Sequence, residues 1–136
     1  MQNNPSNEKT YNETWTYRFD FFKKNGAPGR KMHSEAFSKL PLSKRIKIQF
    51  NFLAFFFHFF YYLAKGMWKG AITLLLLTFA IVLIGSLIGL SDGVVNALGY
   101  GIAAISGMTA NYTYYRKEIL KENDFNIFKG FGKIDH

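Results

Sequence analysis

The sequence predicts an all-α membrane protein: a two-span transmembrane hairpin preceded by an aromatic in-plane or re-entrant helix and by short cytoplasmic amphipathic helices. Two observations lead to this class. All seventeen Lys and Arg residues lie outside residues 70–115, which hold a single acid, Asp92. Residues 71–90 form an uninterrupted apolar run without any charge. Charged ends around a charge-free centre are typical of membrane proteins and not of a soluble domain with a dispersed core.

The polar N-terminal region, residues 1–49, carries ten basic residues against four acids. It has no basic-then-apolar signal pattern, and we expect it to stay in the cytoplasm. Nucleic acid is a rival explanation of the net charge of +8, but no nucleic-acid-binding motif accompanies the charges, so no such partner is predicted. Because the chain has no cysteine, disulfides, Cys-ligated zinc and thiol catalysis are excluded.

The first predicted span is residues 71–90, a length of about 30 Å as a helix, which matches a bilayer core. Thirteen of its residues are Leu, Ile, Val or Phe. On the insertion scale they favour membrane insertion by about 4–8 kcal/mol. The alternative is a buried core helix of a soluble protein, but a helix that is apolar on every face needs a larger protein around it.

The second predicted span, residues 94–115, follows a Ser-Asp-Gly turn at 91–93. It is rich in small residues, which allow two helices to approach closely in lipid. Two sets of small residues repeat every four positions, one in each span, and we predict that they pack the spans into a tight hairpin; homodimerisation through the same faces is the alternative. The helix-packing residues are Gly85, Gly89, Gly99, Ala103 and Gly107.

The aromatic segment, residues 50–69, is too short before Lys65 for an ordinary span. On a helix its polar residues fall within one narrow arc that begins and ends with lysines, as in an interfacial helix. We therefore predict that it lies in the membrane plane or dips in and returns. The residues assigned to the membrane interface are Lys47, Asn51, His58, Tyr61, Lys65, Trp68 and Lys69.

The positive-inside rule separates the two topologies. If residues 50–64 crossed the membrane, giving three spans, the basic residues near the spans would divide six against five. If the segment does not cross, all eleven lie on one side. The bias favours two spans with both termini in the cytoplasm of a bacterial inner membrane. A three-span topology stays open, because the polar arc could face a helix partner.

The polar arms show local helix signals. Asn12 is a candidate N-cap, and Trp15, Phe19 and Phe22 then recur on one face up to Asn25-Gly26. This helix is predicted either to bind the membrane surface or to pack on the other helices. A second short helix is predicted over 34–40, ended by a proline, and Ser43 is expected to cap the segment that leads into the aromatic stretch. The tail, residues 116–136, is expected to be a loosely ordered cytoplasmic segment.

Several motifs resemble a family of short bacterial inner-membrane proteins that is catalogued as domain of unknown function 2628. They are FN-x-x-AFFF and YYL-x-KGMWK in the aromatic segment, AN-x-x-YYRK after the hairpin, and WTYRFDFF and GAPG near the N-terminus. The resemblance covers roughly residues 13–118 and implies no particular chemistry. Family members often have Gly-Pro where this chain has His58-Phe59, a pair that would break the helix. Its replacement here favours a continuous in-plane helix.

No catalytic, cofactor or metal site is predicted. The three histidines, His33, His58 and His136, are far apart and have no carboxylate at ligand spacing. No nucleophile elbow, phosphate loop or carboxylate pair is present. His58 is an ionisable group at membrane depth, which makes it a functional hypothesis, but a place at headgroup level on the polar face is the favoured explanation. Asp92 is explained by the turn. Asn96 and Asn111 are candidates for bridging helices.

The function predicted from these features is that of a small, non-enzymatic inner-membrane protein. It would act as an accessory or regulatory protein that binds a larger membrane complex or the lipid interface, with anionic headgroups as lipid partners. No small-molecule substrate is expected. The alternative is a pore-forming, holin-like hairpin, which would need a polar face on the spans. An enzyme acting on lipid comes third, because it would need acids or histidines grouped near the interface.

Overall fold

The computed structural model describes residues 10–132, and within this range the chain forms seven α-helices and no β-strand. The predicted all-helical class is therefore confirmed. His136 and the last residues of the predicted tail lie outside the described range. The helices are α1 (Glu13–Asn25), α2 (Lys31–Ser38), α3 (Leu42–Gln49), α4 (Phe52–Phe57), α5 (Phe59–Ala64), α6 (Trp68–Leu87) and α7 (Asp92–Glu118).

Helix α1 begins and ends where the sequence predicts. The Asn12 side chain accepts a hydrogen bond of 2.9 Å from the Trp15 N–H, which confirms the N-cap. The apolar stripe of Trp15, Phe19 and Phe22 is buried. It packs on α7, where the rings of Trp15 and Tyr114 are 4.6 Å apart. Of the two alternatives for this amphipathic helix, the structure therefore has it packed against another helix.

Helices α2 and α3 differ from the sequence prediction at their starts. Helix α2 begins at Lys31, three residues earlier than predicted, and ends at Ser38. The expectation that Ser43 caps α3 is wrong, because the N-cap is Pro41, with φ −65° and ψ 158°. Proline supplies this extended geometry from its own ring, so the next helix can start immediately without a side-chain cap.

The aromatic segment is not one continuous helix. It divides into α4 and α5, six residues each, at His58, which has φ 50° and ψ −123°. This backbone conformation is costly for any residue with a Cβ, and it turns the chain between the two helices. The expectation of a continuous helix is thus wrong. At about 9 Å each, neither helix is long enough to cross a bilayer.

Helices α6 and α7 form an antiparallel hairpin with a tight connection. The Leu90 N–H donates to the Gly85 carbonyl at 2.9 Å, and Gly89 has φ 74°, which together make a Schellman ending for α6. The Ser91 hydroxyl then accepts from the Val94 N–H at 3.3 Å and caps α7. Asp92 lies in the first turn of α7, where a negative charge suits the helix dipole.

Both hairpin helices have the length and hydropathy of membrane spans. Within residues 10–132, α6 with 20 residues and α7 with 27 residues are the two helices that are long and apolar enough to cross a membrane. Helix α6 starts three residues before the predicted 71–90 and ends three before it. Helix α7 extends the predicted 94–115 at both ends, so that its last turn reaches the polar region of the chain.

The core surrounds the C-terminal half of α7. From Ile102 to Glu118 most of α7 is buried, whereas residues 92–101 are almost wholly exposed. Helix α6 is likewise buried near its start, at Ala71 and Leu74, and mostly exposed beyond. Helices therefore surround one end of the hairpin in the described residues, and the other end is mostly exposed.

The tail after α7 is ordered as far as it is described, which corrects the expectation of a loose segment. Ile127 is fully buried. The Thr73 hydroxyl donates to the Phe125 carbonyl, and the Lys69 ammonium donates to the Asn123 carbonyl at 3.0 Å. These bonds fasten the tail along the start of α6, so the tail closes the base of the hairpin.

Candidate functional site

The most connected group of polar side chains is a buried junction between Asn51 and Asn111. The Asn51 Nδ2 donates to the Asn111 Oδ1 at 3.0 Å and to the Tyr61 hydroxyl at 2.8 Å. All three residues are buried. Because buried amides are costly unless they are hydrogen-bonded, this junction specifies how α4, α5 and α7 meet.

The same two asparagines close the break between α3 and α4. The chain is extended at Phe50 and Asn51, which leaves the last carbonyls of α3 without helical partners. The Asn111 Nδ2 donates to the Ile48 carbonyl at 2.9 Å. The Asn51 Oδ1 accepts from the Ala54 N–H at 3.0 Å and caps α4. One asparagine thus serves the end of α3, and the other serves the start of α4.

Gly107 allows the backbone of this junction to touch α7. The Asn51 N–H donates to the Gly107 carbonyl at 2.9 Å. A Cβ at Gly107 would lie 2.8 Å from the Phe50 ring, which is closer than carbon atoms can pack. Glycine is therefore needed here because another segment lies directly on the helix.

The predicted helix-packing residues have different neighbours from those expected. Gly85 is close to Val95 of α7, 3.2 Å from a Cβ to the Val95 Cγ2, as a hairpin seam requires. Gly107 instead faces Phe50 and Asn51, and Gly99 has no atom within 4 Å of a Cβ. Gly89 forms the turn, and Ala103 is buried beside the aromatic segment. The stripe on α7 therefore accommodates α4, and not mainly α6.

His58 lies at the tip of the α4–α5 pair. Within residues 10–132, its Nδ1 is the one buried side-chain nitrogen or oxygen without a hydrogen-bond partner. It borders an open cavity of about 390 Å³ between the helix pair and the hairpin. The cavity is mainly aromatic and apolar, with walls from Phe55, Phe56, His58, Phe59, Thr78, Asn96, Gly99, Tyr100, Ile102 and Ala103.

The predicted interface residues divide into two groups. Asn51 and Tyr61 are 4% and 7% exposed and face the junction, so their partner is α7 and not the surroundings of the molecule. Lys47, Lys65 and Lys69 are partly exposed near the start and end of the aromatic segment. Trp68 is 46% exposed at the start of α6, with its ring 6.0 Å from that of Phe125.

Arg116 organises the tail. It is 2% exposed, and its guanidinium donates to the carboxylates of Glu122 at 3.0 Å and Asp124 at 2.6 Å, and to the Asn126 carbonyl at 3.0 Å. The hydrogen bond from Arg116 lowers the pKa of Glu122 below its ordinary value. For Asp124, desolvation acts to raise the pKa. The hydrogen bond and charge of Arg116, helped by the Asn126 N–H and the charge of Lys129, outweigh desolvation, so the pKa lies below its ordinary value.

His33 has a structural environment. Its Nδ1–H donates to the Gly26 carbonyl at 3.1 Å, and its ring stacks between Phe22 and Phe37. Burial lowers its pKa, so the ring is neutral at pH 7. Within the described residues, no three His, Asp or Glu side chains are grouped closely enough to hold a metal ion.

Several important residues were missed or only partly recognised in the sequence. Tyr62 is fully buried, and its hydroxyl bonds to that of Thr109 at 2.5 Å. Gly70 is required beneath it, since a Cβ would lie 2.7 Å from the Tyr62 ring. The signal available for Arg116 was its place in the AN-x-x-YYRK motif, which indicates a specific role without saying which one. Asn111, a candidate for bridging helices, does bridge them, since it bonds to Asn51 and to the end of α3.

The fold and the junction define a small helical protein in which an apolar hairpin carries a polar junction at its base. The chain matches the family described as "Protein of unknown function (DUF2628)" over residues 4–119 and belongs to that family. It is 38% identical over 125 residues to the "Uncharacterized protein YigF" of Salmonella typhimurium, covering 89% of this chain and 95% of the relative. The protein of the same name from Escherichia coli K12 is 36% identical over the same shares. No solved structure matches the chain.

Proposed function

We propose that this protein is an integral protein of the bacterial inner membrane that acts as an accessory subunit by binding, and not by catalysis. Helices α6 and α7 would be its two spans, the α4–α5 pair a re-entrant element, and helices α1–α3 with the tail a cytoplasmic cap. The observation that carries the proposal is the large number of exposed, large apolar side chains on α4–α7. A soluble monomer rarely exposes so much apolar surface. These side chains are Phe52, Leu53, Phe56, Phe57, Phe60, Leu63, Ile72, Leu75, Leu76, Phe79, Val82, Leu83, Ile84, Leu87, Ile88, Val94 and Leu98.

The positions of α4 and α5 support a re-entrant element. Asn51 bonds to α7 at Gly107, whereas His58 borders the same cavity as Gly99. Gly99 and Gly107 are about 12 Å apart along α7. The tip of the α4–α5 pair at His58 would therefore lie about 12 Å deeper in the membrane than Asn51. Lys65, which ends α5, lies back beside Trp15 of the cap. The segment therefore starts and ends at one level, as a chain that enters and leaves by the same side must.

The distribution of charge supports cytoplasmic termini. In this arrangement the eleven basic residues near the spans share one side with the cap, and the connection between α6 and α7 on the other side carries only Asp92. Such an imbalance is what the positive-inside rule demands.

An accessory role is supported by the aromatic face of the re-entrant element. Phe56, Phe57 and Phe60 are 67%, 54% and 63% exposed at the side of the hairpin. Large aromatic side chains are enriched at protein interfaces, since they bury much area for little conformational entropy. The pore-forming alternative is disfavoured because the Thr73 and Thr78 hydroxyls bond to backbone carbonyls, so they offer little to a water column.

Single-cysteine labelling tests the topology, and the absence of native cysteines makes it clean. A membrane-impermeant maleimide added to intact cells should label a cysteine at Asp92 but not at Ser38, Lys69 or Lys121. After permeabilisation the last three should also react. Labelling of Lys69→Cys from outside, with Asp92→Cys protected, would restore three spans.

Photocrosslinking tests the accessory role. A photoreactive amino acid at Phe57 or Phe60 should yield a discrete crosslinked protein in cells. The matched control is Leu83, an exposed position on α6 away from the aromatic face. Crosslinks of equal intensity at all three positions, or lipid adducts alone, would contradict a protein partner on the aromatic face.

A further inference from the structure

Two cations lie on the rings where the aromatic segment meets the cap. The Lys65 Nζ is 5.5 Å from the ring centre of Trp15, 5.8 Å from that of Tyr61 and 5.4 Å from that of Tyr114. The Arg18 Cζ lies 4.6 Å from the same Trp15 centre. Because both cations approach one ring, they are at most about 10 Å apart, a distance comparable to the screening length of about 8–10 Å at 0.10–0.15 M salt.

Two further lysines lie on the ring of Tyr17, the residue before Arg18 in the chain. The Nζ atoms of Lys44 and Lys47 lie 4.9 Å and 5.5 Å from the ring centre of Tyr17. The Arg18 Nε donates to the Lys47 backbone carbonyl at 2.7 Å, which brings the end of α3 to Arg18. We refer to Arg18, Lys44, Lys47 and Lys65 together as the cation cluster.

The cation cluster has no carboxylate partner in the part of the chain that the structure describes. Ion pairs in residues 10–132 are made by Arg116, Lys117 and Lys129. Lys117 also lies 5.9 Å from the Tyr114 ring, but it is paired with Glu118 at 3.5 Å. Like charges gathered without counter-charges repel one another, and a bound anion would relieve the repulsion.

Arg18 shows the need for an anion most clearly. Its side chain is half-buried between α1 and α3, and desolvation lowers its pKa. One backbone carbonyl and one aromatic face use only part of its donor capacity, since a guanidinium has five N–H groups. A planar guanidinium beside an ammonium is well suited to phosphate oxygens.

We propose that the cation cluster binds the phosphate group of an anionic phospholipid from the cytoplasmic leaflet. The inference rests on the proposed function, because it needs α5 to lie at membrane depth. Lys65 directly follows α5, whose last turn exposes Leu63, so acyl chains would lie next to a phosphate held by Lys65. A free phosphate would gain nothing from this apolar neighbourhood, and for that reason the lipid is the favoured source.

The test uses the full chain in nanodiscs of phosphatidylcholine with an increasing fraction of phosphatidylglycerol. Trp15 is a built-in reporter, and the Trp68→Phe variant leaves it as the only tryptophan. We expect its fluorescence to change saturably with the anionic fraction. Lys65→Gln and Arg18→Gln should each weaken the response about fivefold, which is the contribution of one cation near an anionic surface.

Matched controls separate a site from diffuse attraction. Lys39→Gln and Lys121→Gln remove the same charge from exposed positions outside the cluster and should leave the midpoint within about twofold. Equal weakening by the controls would mean a surface charge effect and would overturn the site. If Arg18→Gln fails to fold by circular dichroism, Lys65→Gln decides alone, since its side chain is partly exposed.

Two further outcomes are decisive. If glycerol phosphate in plain phosphatidylcholine nanodiscs reproduces the response, the ligand is a free phosphate, and the lipid proposal is overturned. A response independent of the anionic fraction overturns it as well. The labelling of Asp92→Cys tests the two-span topology independently of the nanodisc titration. If labelling excludes two spans while the selective lipid response persists, the proposed function fails and the cation cluster remains.

Discussion

Asn51 and Asn111, sixty residues apart in the chain, share a buried hydrogen bond of 3.0 Å and each closes a helix end next to the other. The pair is the point at which the aromatic segment is fixed to the hairpin. Because neither amide has access to water, each is needed to satisfy the other and the backbone around it.

Replacing Asn111 with Ala is expected to destabilise the protein by about 1–3 kcal/mol, because it leaves buried carbonyls of α3 without a donor and removes one of the two acceptors of the Asn51 Nδ2. Urea unfolding in mild detergent, followed by circular dichroism, measures the loss. Asn96→Ala is the control, since Asn96 is an exposed asparagine on the same helix and should change stability little. The double variant with Asn51→Ala should cost less than the sum of the singles. Strict additivity would show that the two side chains do not act together.

The backbone conformation at His58 should favour glycine over alanine at this position. At φ 50° and ψ −123° a residue with a Cβ is strained by about 1–3 kcal/mol, and glycine is not. We expect His58→Gly to be more stable than His58→Ala by at least about 1 kcal/mol in thermal unfolding. In an ordinary helix the order is reversed, with alanine better by up to about 1 kcal/mol. The sign of this difference in stability therefore reports whether the helix is broken at His58. If His58→Ala is more stable than His58→Gly, the helix is continuous.

The sequence predicts a structural feature best when the residues that produce the feature are close together in the chain. The cap at Asn12 and the stripe of Trp15, Phe19 and Phe22 were predictable, because spacing within one helix determines them. The sequence marks Asn111 as a candidate for bridging helices, but it does not predict the pairing with Asn51, since these partners meet only after folding. The sequence accordingly places Asn51 at the membrane interface, on a polar arc that assumes one continuous helix, whereas the chain is extended at Asn51 and breaks at His58.

The break at His58 shows a second limit. Histidine is not a helix breaker, so the residues themselves favour a continuous helix. The resemblance carried the opposite signal, because a Gly-Pro pair in relatives marks a turn at this position. The tertiary contacts of α4 with α7 and of α5 with α6 impose that turn even though this chain has His58 and Phe59.

The two glycines of the α7 stripe should respond oppositely to alanine. Gly107→Ala places a methyl group 2.8 Å from the Phe50 ring and should cost about 1–3 kcal/mol through overpacking. Gly99→Ala meets no atom within 4 Å and should be neutral or gain up to about 1 kcal/mol from helix propensity. Unfolding midpoints of the two variants in the same detergent test this. Equal destabilisation would mean that the whole stripe packs on α6, as the sequence alone suggests.

Arg116→Gln should release the tail. It removes the charged donor that Glu122 and Asp124 share, and so weakens the attachment of residues 119–132. We expect limited proteolysis within this segment to be roughly tenfold faster, the equivalent of about one charged hydrogen bond. Lys129→Gln is the matched control, because Lys129 contacts the same carboxylates from a position that is 51% exposed. Its effect should be much smaller.

The tail should also loosen in acid, with a direction that follows from the two lowered pKa values. A carboxyl group whose pKa is lower in the folded state stabilises that state above its ordinary pKa, and the stabilisation is lost as the pH falls through the folded value. The ordinary pKa values are 4.5 for Glu122 and 3.8 for Asp124. Opening of the tail should therefore be independent of pH near neutrality and increase only below about pH 4. Hydrogen exchange of the Ile127 amide, followed by mass spectrometry and corrected for intrinsic rates, measures this without a pH-sensitive protease. In Arg116→Gln the acid dependence should largely disappear, because no charge remains to lower the two pKa values. Persistence of the full acid effect in that variant would assign it to other carboxylates and remove Arg116 from the centre of the tail attachment.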